Sequence, residues 1–331
     1  MTIGIGLIGA SRIARDSMIP VFAAHPDCEL VSVYSSNFER GKEYAAANGI
    51  KRAAASVDEL VNDPEVHAVY VSTTNELHHA QVLAAAKAGK HVLCEKPIAM
   101  SVQEGREMVA ACHEAGVVMA TNHHLRNAAP IRKLKGLVTS GAIGKPIAAR
   151  VFHAVYLPEN LQGWRINDAS AGGGVVMDIV VHDIDTLRFI LGTEPLEVVS
   201  MSQSAGMAES VEDGNMAVFR FDDGLLAQVH TAFTVKYGGD GIELHGTEGS
   251  LRVTGVLGRR PGSAITLTNA QGEQQITVAH HSLDAETVRQ FIDAVQGKGQ
   301  AAASGEDGLK SMAAALACLE AGKLGTRINI G

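Results

Sequence analysis

The segment Ile3-Gly4-Ile5-Gly6-Leu7-Ile8-Gly9-Ala10-Ser11-Arg12-Ile13-Ala14 holds two overlapping glycine patterns that imply different things. Read literally, Gly4, Gly6 and Gly9 spell G-x-G-x-x-G. A dinucleotide fingerprint must follow a strand and open a helix. Gly4 and Gly6 instead fall inside an apolar run that reads as a buried strand, so that register fails. The register that works begins at Gly9. Gly9 allows a tight turn, Ser11 stands where backbone must approach a pyrophosphate, and Ala14 replaces the glycine that lets helix and strand pack closely. Arg12 and Ile13 then lie at the helix start, whose unpaired N–H groups attract phosphate. Taken alone, the same turn also suits a plain strand–helix connection.

The residues that follow favour the dinucleotide reading. Helical periodicity over 11–25, where Pro20 would kink or restart the helix, gives way to a strand at 29–35 and a helix at 39–48 closed by Gly49. Strands follow at 66–73, 91–94 and 117–121, alternating with helices at 77–88 and 102–115. Such alternation of apolar strands with helices means βαβ units and a parallel sheet. The pattern changes near Asn122. A helix at 130–140, a strand at 147–156 and an apolar helix at 175–191 lead into β-rich runs at 196–204, 215–221, 225–233, 242–245, 250–253, 264–268 and 275–278. Asp213-Gly214, Asp223-Gly224 and Glu248-Gly249 punctuate them as tight turns, so this sheet is mostly antiparallel. Helices at 285–295 and 309–321 and a strand at 327–330 finish the chain. The fold class is α/β: a doubly wound parallel-sheet domain over 1–122, then an α+β substrate domain over 123–331.

Composition narrows the partners. The net charge of −8 and the lack of a long Lys/Arg run argue against nucleic acid. No apolar stretch reaches membrane-spanning length. Cys28, Cys94, Cys112 and Cys318 are scattered, with no C-x-x-C, which suits neither a disulfide framework nor a thiolate zinc site. The N-terminus runs straight into a strand, so the expected address is the cytoplasm.

The end of the second strand discriminates between cofactors. An acid there would bind the ribose 2′-hydroxyl of NAD and repel a 2′-phosphate. The chain reads Val33-Tyr34-Ser35-Ser36-Asn37, with Arg40 beyond it and Arg12 in the glycine turn. Hydroxyls and guanidinium groups suit the phosphate of NADP(H), although Arg40 could equally pair with Glu39 or Glu43 on a surface helix. Cys94-Glu95-Lys96-Pro97 follows the expected fourth strand, where ligands of such sheets sit, and Pro97 keeps Lys96 out of helix. Lys96 can therefore donate to a substrate oxygen, or be an ordinary loop lysine. On the apolar helix, Asp178, His182 and Asp185 at i, i+4 and i+7 form one polar stripe, either solvent-facing or lining a site. His182 could give a proton to a developing alkoxide, with Asp178 orienting it or a substrate hydroxyl. Asp178 and His182 could also be two metal ligands with His123, His124 or His230, but no spacing fixes a third; the expectation is no metal.

The Gly9–Ala14 turn, Glu95-Lys96-Pro97 and Asp178-x-x-x-His182, in this order, make the whole chain resemble the Gfo/Idh/MocA oxidoreductases. That resemblance implies a Rossmann domain, a C-terminal domain with an open sheet, and NADPH-dependent reduction of a ketone on a pyranose-like sugar. It implies catalytic roles for Lys96 and His182, and a substrate-positioning one for Asp178. Cofactor contacts would come from Gly9, Ser11, Arg12, Ile13, Ala14, Ser35, Ser36, Arg40, Thr73, Thr74, Asn75, His78, Glu95, Lys96 and Asn122. Trp164 would pack on a sugar ring, with Arg165 and Arg126 donating to hydroxyls. Oxidation of an inositol or aldose by the same groups, a non-catalytic NADP-binding sensor and a metal-dependent sugar isomerase are the competing readings. A homo-oligomer built through the C-terminal sheet is the expected assembly.

Overall fold

Among the described residues of the computed structural model (2–259, 262 and 264–331), six strands make the first sheet. They are β1 (Ile3–Ile8), β2 (Cys28–Tyr34), β3 (Arg52–Ala54), β4 (Ala68–Val71), β5 (His91–Cys94) and β6 (Met119–Thr121), in the order β3-β2-β1-β4-β5-β6. Every pairing is parallel. This is the doubly wound order whose reversal point lies between β1 and β4.

The central strand explains the misleading glycines. All six residues of β1 are buried. A Cβ on Gly4 would land on the Glu65 carbonyl oxygen, and one on Gly6 would come 2.7 Å from Leu60 Cδ2. These two glycines thin the strand so that neighbouring chain can lie against it.

The first helix differs from expectation. A π-helical turn, Ala14–Met18, runs into the α-helix Ile19–Ala24. Pro20 sits in the first turn of that α-helix, where its missing N–H costs little, so the α-helix restarts there, one of the two outcomes the sequence suggested. β3 and the five-residue helix Val57–Val61, capped by the Ser56 hydroxyl on Glu59 N–H, carry too little periodicity to be read from sequence. Their presence makes the strand before Lys96 the fifth rather than the fourth.

The chain divides into two compact units: Met1–His124 with Ser282–Leu309, and Leu125–His281 with Lys310–Gly331. The division expected after residue 122 assigned Ser282–Leu309 to the second domain. Its helix, Leu283–Val295, instead buries Val288, Phe291 and Ile292 in one core with Leu7, Phe22 and Tyr70. Returning chain also pairs with the edge strand, Thr121 N–H donating to the Ala303 carbonyl at 3.0 Å.

In the second unit, β7 (Pro146–Tyr156), β8 (Pro195–Gln203), β9 (Gly214–Phe221), β10 (Leu226–Ala232), β11 (Thr234–Gly246), β12 (Gly249–Thr254), β13 (Ala264–Asn269), β14 (Gly272–Thr277) and β15 (Ile328–Asn329) form a sheet in the order β14-β13-β12-β11-β7-β10-β9-β8-β15. It is antiparallel except where β7 meets β10. β11 is far longer than expected, because Gly238, Gly239 and Gly241 mask its alternation. One face carries exposed Val199, Met201, Met216 and Val218. Among the described residues no helix is long and apolar enough to cross a membrane.

Phe291 is 1% exposed within the first unit's core. Phe291→Ala should cost about 3–5 kcal/mol in urea unfolding; an unchanged midpoint would return this helix to the second unit.

Candidate active site

One group of candidate residues lies at the carboxyl ends of the parallel strands, where the backbone turns at Gly9. Its φ is +114°, and a Cβ would lie 3.1 Å from Thr73 N and from the carbonyl carbon of Ser72. Only glycine fits both demands. The Ser11 hydroxyl lies 2.8 Å from that of Ser72 and accepts from Ala14 N–H at 3.1 Å, so it caps the helix start. Arg12 and Ile13 begin the helical backbone, and Arg12, exposed, pairs with Asp16 at 3.0 Å.

Arg40 reaches back from the helix Phe38–Ala47, its Nη2 donating to the Ala10 carbonyl at 2.8 Å. The Tyr44 hydroxyl donates to the Ser11 carbonyl at 2.7 Å, and burial pushes its pKa up to about 12. Ser35 is buried beneath, Ser36 is exposed at the tip of β2, and Asn37 caps the helix by accepting from Arg40 N–H. The neighbouring Glu39 is held by Lys42 at 2.9 Å. A guanidinium, rather than a carboxylate, thus stands against the glycine turn.

The next loops hold Lys96 in place. Glu95 accepts from the fully buried Tyr70 hydroxyl and, at 2.6 Å, from Asn122 Nδ2. Asn122 N–H donates to the Cys94 carbonyl at 2.8 Å, and its buried Oδ1 has no protein hydrogen bond. The Lys96–Pro97 peptide is cis, and Lys96 is half-buried. Thr73 donates to Gln81 at 2.7 Å, Thr74 to Glu76 at 2.6 Å, and Asn75 is buried. His78 was expected to touch the cofactor. It is fully buried, its ring lying between the carbonyls of Pro97 (Nδ1, 3.0 Å) and Thr73 (Nε2, 3.3 Å), and burial lowers its pKa. Its part is to tie the Thr73 loop to the Lys96 turn.

A second group of candidate residues belongs to the other unit. Gly172-Gly173-Gly174 lets chain pass close to the short helix Trp164–Asn167: a Cβ on Gly173 would lie 2.6 Å from the Trp164 carbonyl. Gly174, at φ +106°, has no room for a side chain beside Glu212. Glu212 accepts from Val176 N–H at 3.0 Å, and burial raises its pKa despite that bond. The apolar helix then opens with a π-helical turn, Val176–Val180, before the α-helix Val181–Leu191. Asp178 lies in this turn, a feature common at functional sites that sequence periodicity does not reveal.

Here the structure brings Trp164, Arg165 and Asp178 together. The Arg165 guanidinium stacks 4.5 Å from the Trp164 ring centre, with Nε 3.4 Å from Asp178 Oδ2. His182 follows, half-buried, on the same helix. His153 on β7, unremarked as a site residue in the sequence, joins them. Its Nδ1 lies 3.0 Å from Oδ1 of the fully buried Asp183. Burial pulls the His153 pKa down, but Asp183, with Asp240 and Asp178, more than offsets it and leaves the pKa raised. Strand parity could have flagged His153, which shares the inward face of Ala149 and Val151.

Arg126 and Asp185 do not fit the roles their positions suggested. Arg126 Nε and Nη2 each donate to the Asp185 carboxylate at 2.8 Å, and Ser311 donates to Asp185 at 2.9 Å. Both charged side chains are under one-tenth exposed. Arg126 is a buried structural cation, and Asp185 leaves the polar stripe to be its partner. Among the described residues no cluster of three His, Cys, Asp or Glu could hold a metal ion.

Residues 3–123 match the model of the oxidoreductase family with NAD-binding Rossmann fold, and residues 131–252 match the GFO/IDH/MocA C-terminal domain. The chain belongs to the GFO/IDH/MocA oxidoreductase family. It is 54% identical over 326 residues to 1,5-anhydro-D-fructose reductase of Ensifer adhaerens, covering 98% of both chains. It is 30% identical to myo-inositol 2-dehydrogenase of Thermotoga maritima, covering 92% of this chain and 90% of that one. Aldose-aldose oxidoreductase from Caulobacter crescentus, solved with glycerol, superposes with a TM-score of 0.90 at 26% identity, covering 99% of this chain and all of the other.

Removing Arg126 would leave the buried Asp185 carboxylate with only the Ser311 hydroxyl and the longer contact to Arg188 at 3.6 Å. Arg126→Ala should lose about 3–5 kcal/mol of stability, the usual penalty for breaking a buried pair, read from chemical denaturation. A variant that keeps wild-type stability but loses sugar affinity would restore Arg126 to substrate binding.

Proposed function

We propose that the protein uses NADPH to reduce the C2 ketone of 1,5-anhydro-D-fructose, or a close 2-ketosugar, to 1,5-anhydro-D-mannitol. The observation that carries this is the end-to-end 54% identity to a 1,5-anhydro-D-fructose reductase. The dinucleotide would lie along the Gly9 turn, whose tight bend opens a helix with first N–H groups that would meet the phosphates, with Ser36 and Arg40 beside the 2′-phosphate. The buried Asn122 Oδ1 is a ready acceptor for a cofactor N–H or O–H.

When bound, the reduced nicotinamide supplies the hydride to the carbonyl carbon. The protein's share is charge and proton. Lys96, presented by the Glu95–Pro97 turn, donates to the carbonyl oxygen as its π electrons move onto it. His182 gives that oxygen the proton that completes the alcohol and takes another from solvent. Asp178 positions a sugar hydroxyl and holds Arg165, whose stacking on Trp164 makes a flat platform for a pyranose ring. Arg126 has no part in this.

A second reading, oxidation of an inositol or aldose by the same groups, is favoured by the 30% identity to myo-inositol 2-dehydrogenase. Assays with inososes and other ketosugars separate it. We place the enzyme in the cytoplasm, where its four free cysteines stay reduced. Two copies would pair through the face bearing Val199, Met201, Met216 and Val218.

Two variants test the assignments. Arg40→Ala should raise the KM for NADPH by about 10–100-fold, the scale of a lost hydrogen bond to a charged group, and barely change that for NADH; equal effects would remove the case for NADP. His182→Ala should lower kcat by about 10²–10⁴-fold with NADPH affinity little changed. Near-normal turnover would reject His182 as the acid.

A further inference from the structure

At the opposite, amino-terminal end of the parallel sheet the first unit carries a cleft of about 480 Å³. That lies within the usual span of roughly 300–1,000 Å³ for small-molecule sites. His67, Lys90, His91 and Lys298 line it, with Ile3 and Val66 supplying apolar wall. Ile3 starts β1 and His91 starts β5, so six residues of β1 separate the cleft from Gly9, about 20 Å at strand rise. Nothing in the proposed reduction uses this end of the sheet.

Three of the polar groups here, His67, His91 and Lys90, are held by backbone. Gly4 N–H donates to His67 Nδ1 at 2.9 Å, and Val118 N–H donates to His91 Nδ1 at 3.0 Å. A ring nitrogen that accepts carries no proton, so each imidazole is neutral and must hold its hydrogen on Nε2. Both rings are therefore locked as donors. Lys90 Nζ donates to the Asp63 and Val66 carbonyls at 3.2 and 2.6 Å, which uses two ammonium protons and leaves the third. Lys298 donates to Gln296, also on the wall. No carboxylate is among the described lining residues. The nearby acids are engaged: Asp63 and Glu65 with Arg52, Asp27 with Gln296.

Two neutral N–H donors and two ammonium groups, drawn from separate segments, favour an anion with several oxygens over a neutral sugar. We propose that this cleft binds a phosphate group, free or carried on a small organic molecule, at a site separate from that of the dinucleotide. The two imidazoles and Lys90 are held before the ligand arrives, so little ordering of these groups opposes binding.

Isothermal titration of the full-length protein, saturated with NADPH so that its phosphate-binding turn is filled, tests this with inorganic phosphate and sn-glycerol 3-phosphate as probes. A saturable one-site isotherm is expected. Lys298 is exposed, so Lys298→Ala leaves the fold intact and should weaken binding several-fold; Lys90→Met should weaken it by about tenfold or more. NADPH oxidation by both variants should stay at the wild-type rate, so a loss of phosphate binding is distinguishable from a loss of the proposed reduction. Tighter binding of the ester identifies an organic phosphate, and equal binding identifies free phosphate. No saturable heat at millimolar probe, loss of binding once NADPH is present, or unchanged affinity in both variants overturns the proposal.

Discussion

The first unit depends on how closely other chain approaches β1. Three positions along or just after this strand have no space for a side chain. At Gly4 the obstacle is the Glu65 carbonyl, at Gly6 the Leu60 side chain, and at Gly9 the backbone of Ser72 and Thr73. The first two let β1 sit buried at the middle of the sheet. The third turns the chain sharply enough that a helix begins at the carboxyl end of the strand, with Arg40 and Tyr44 fastening the turn through the Ala10 and Ser11 carbonyls. One run of glycines therefore serves both packing and ligand approach, which is why its literal spacing misleads.

The second unit repeats this logic with different parts. Gly173 and Gly174 allow the Trp164–Asn167 turn to lie against the start of the apolar helix. Glu212 caps that start, and the π-helical turn that follows carries Asp178 beside Arg165. Beneath it, Asp185 pairs with Arg126 in the core, with Arg188 also 3.6 Å away, while Asp183 raises the His153 pKa against the effect of burial. Neighbouring acids of one short helix thus do different work because each meets a different cation.

Much of this was legible in the sequence. The alternation of apolar strands and helices identified the parallel sheet, and the strand–turn–helix context of Gly9 identified the correct glycine register. What escaped had physical causes. β3 and Val57–Val61 are too short to show a period. The glycines of β11 hide its length, and a π-helical turn shifts register without changing composition. Ser282–Leu309 returns to the first core, and long-range packing of that kind leaves no local mark. Arg126 and Asp185 read as exposed functional charges because nothing in one sequence shows that two distant charges are each other's partners.

In the proposed reaction, hydride would reach the second carbon of a pyranose ring and its oxygen would be protonated. The most direct measurement is to incubate the protein with 1,5-anhydro-D-fructose and NADPH deuterated on the transferred position, and to analyse the sugar by NMR and mass spectrometry. The account predicts stoichiometric NADPH oxidation and 1,5-anhydro-D-mannitol carrying one deuterium at C2. Unreacted sugar, deuterium elsewhere, or the C2 epimer as product would contradict it.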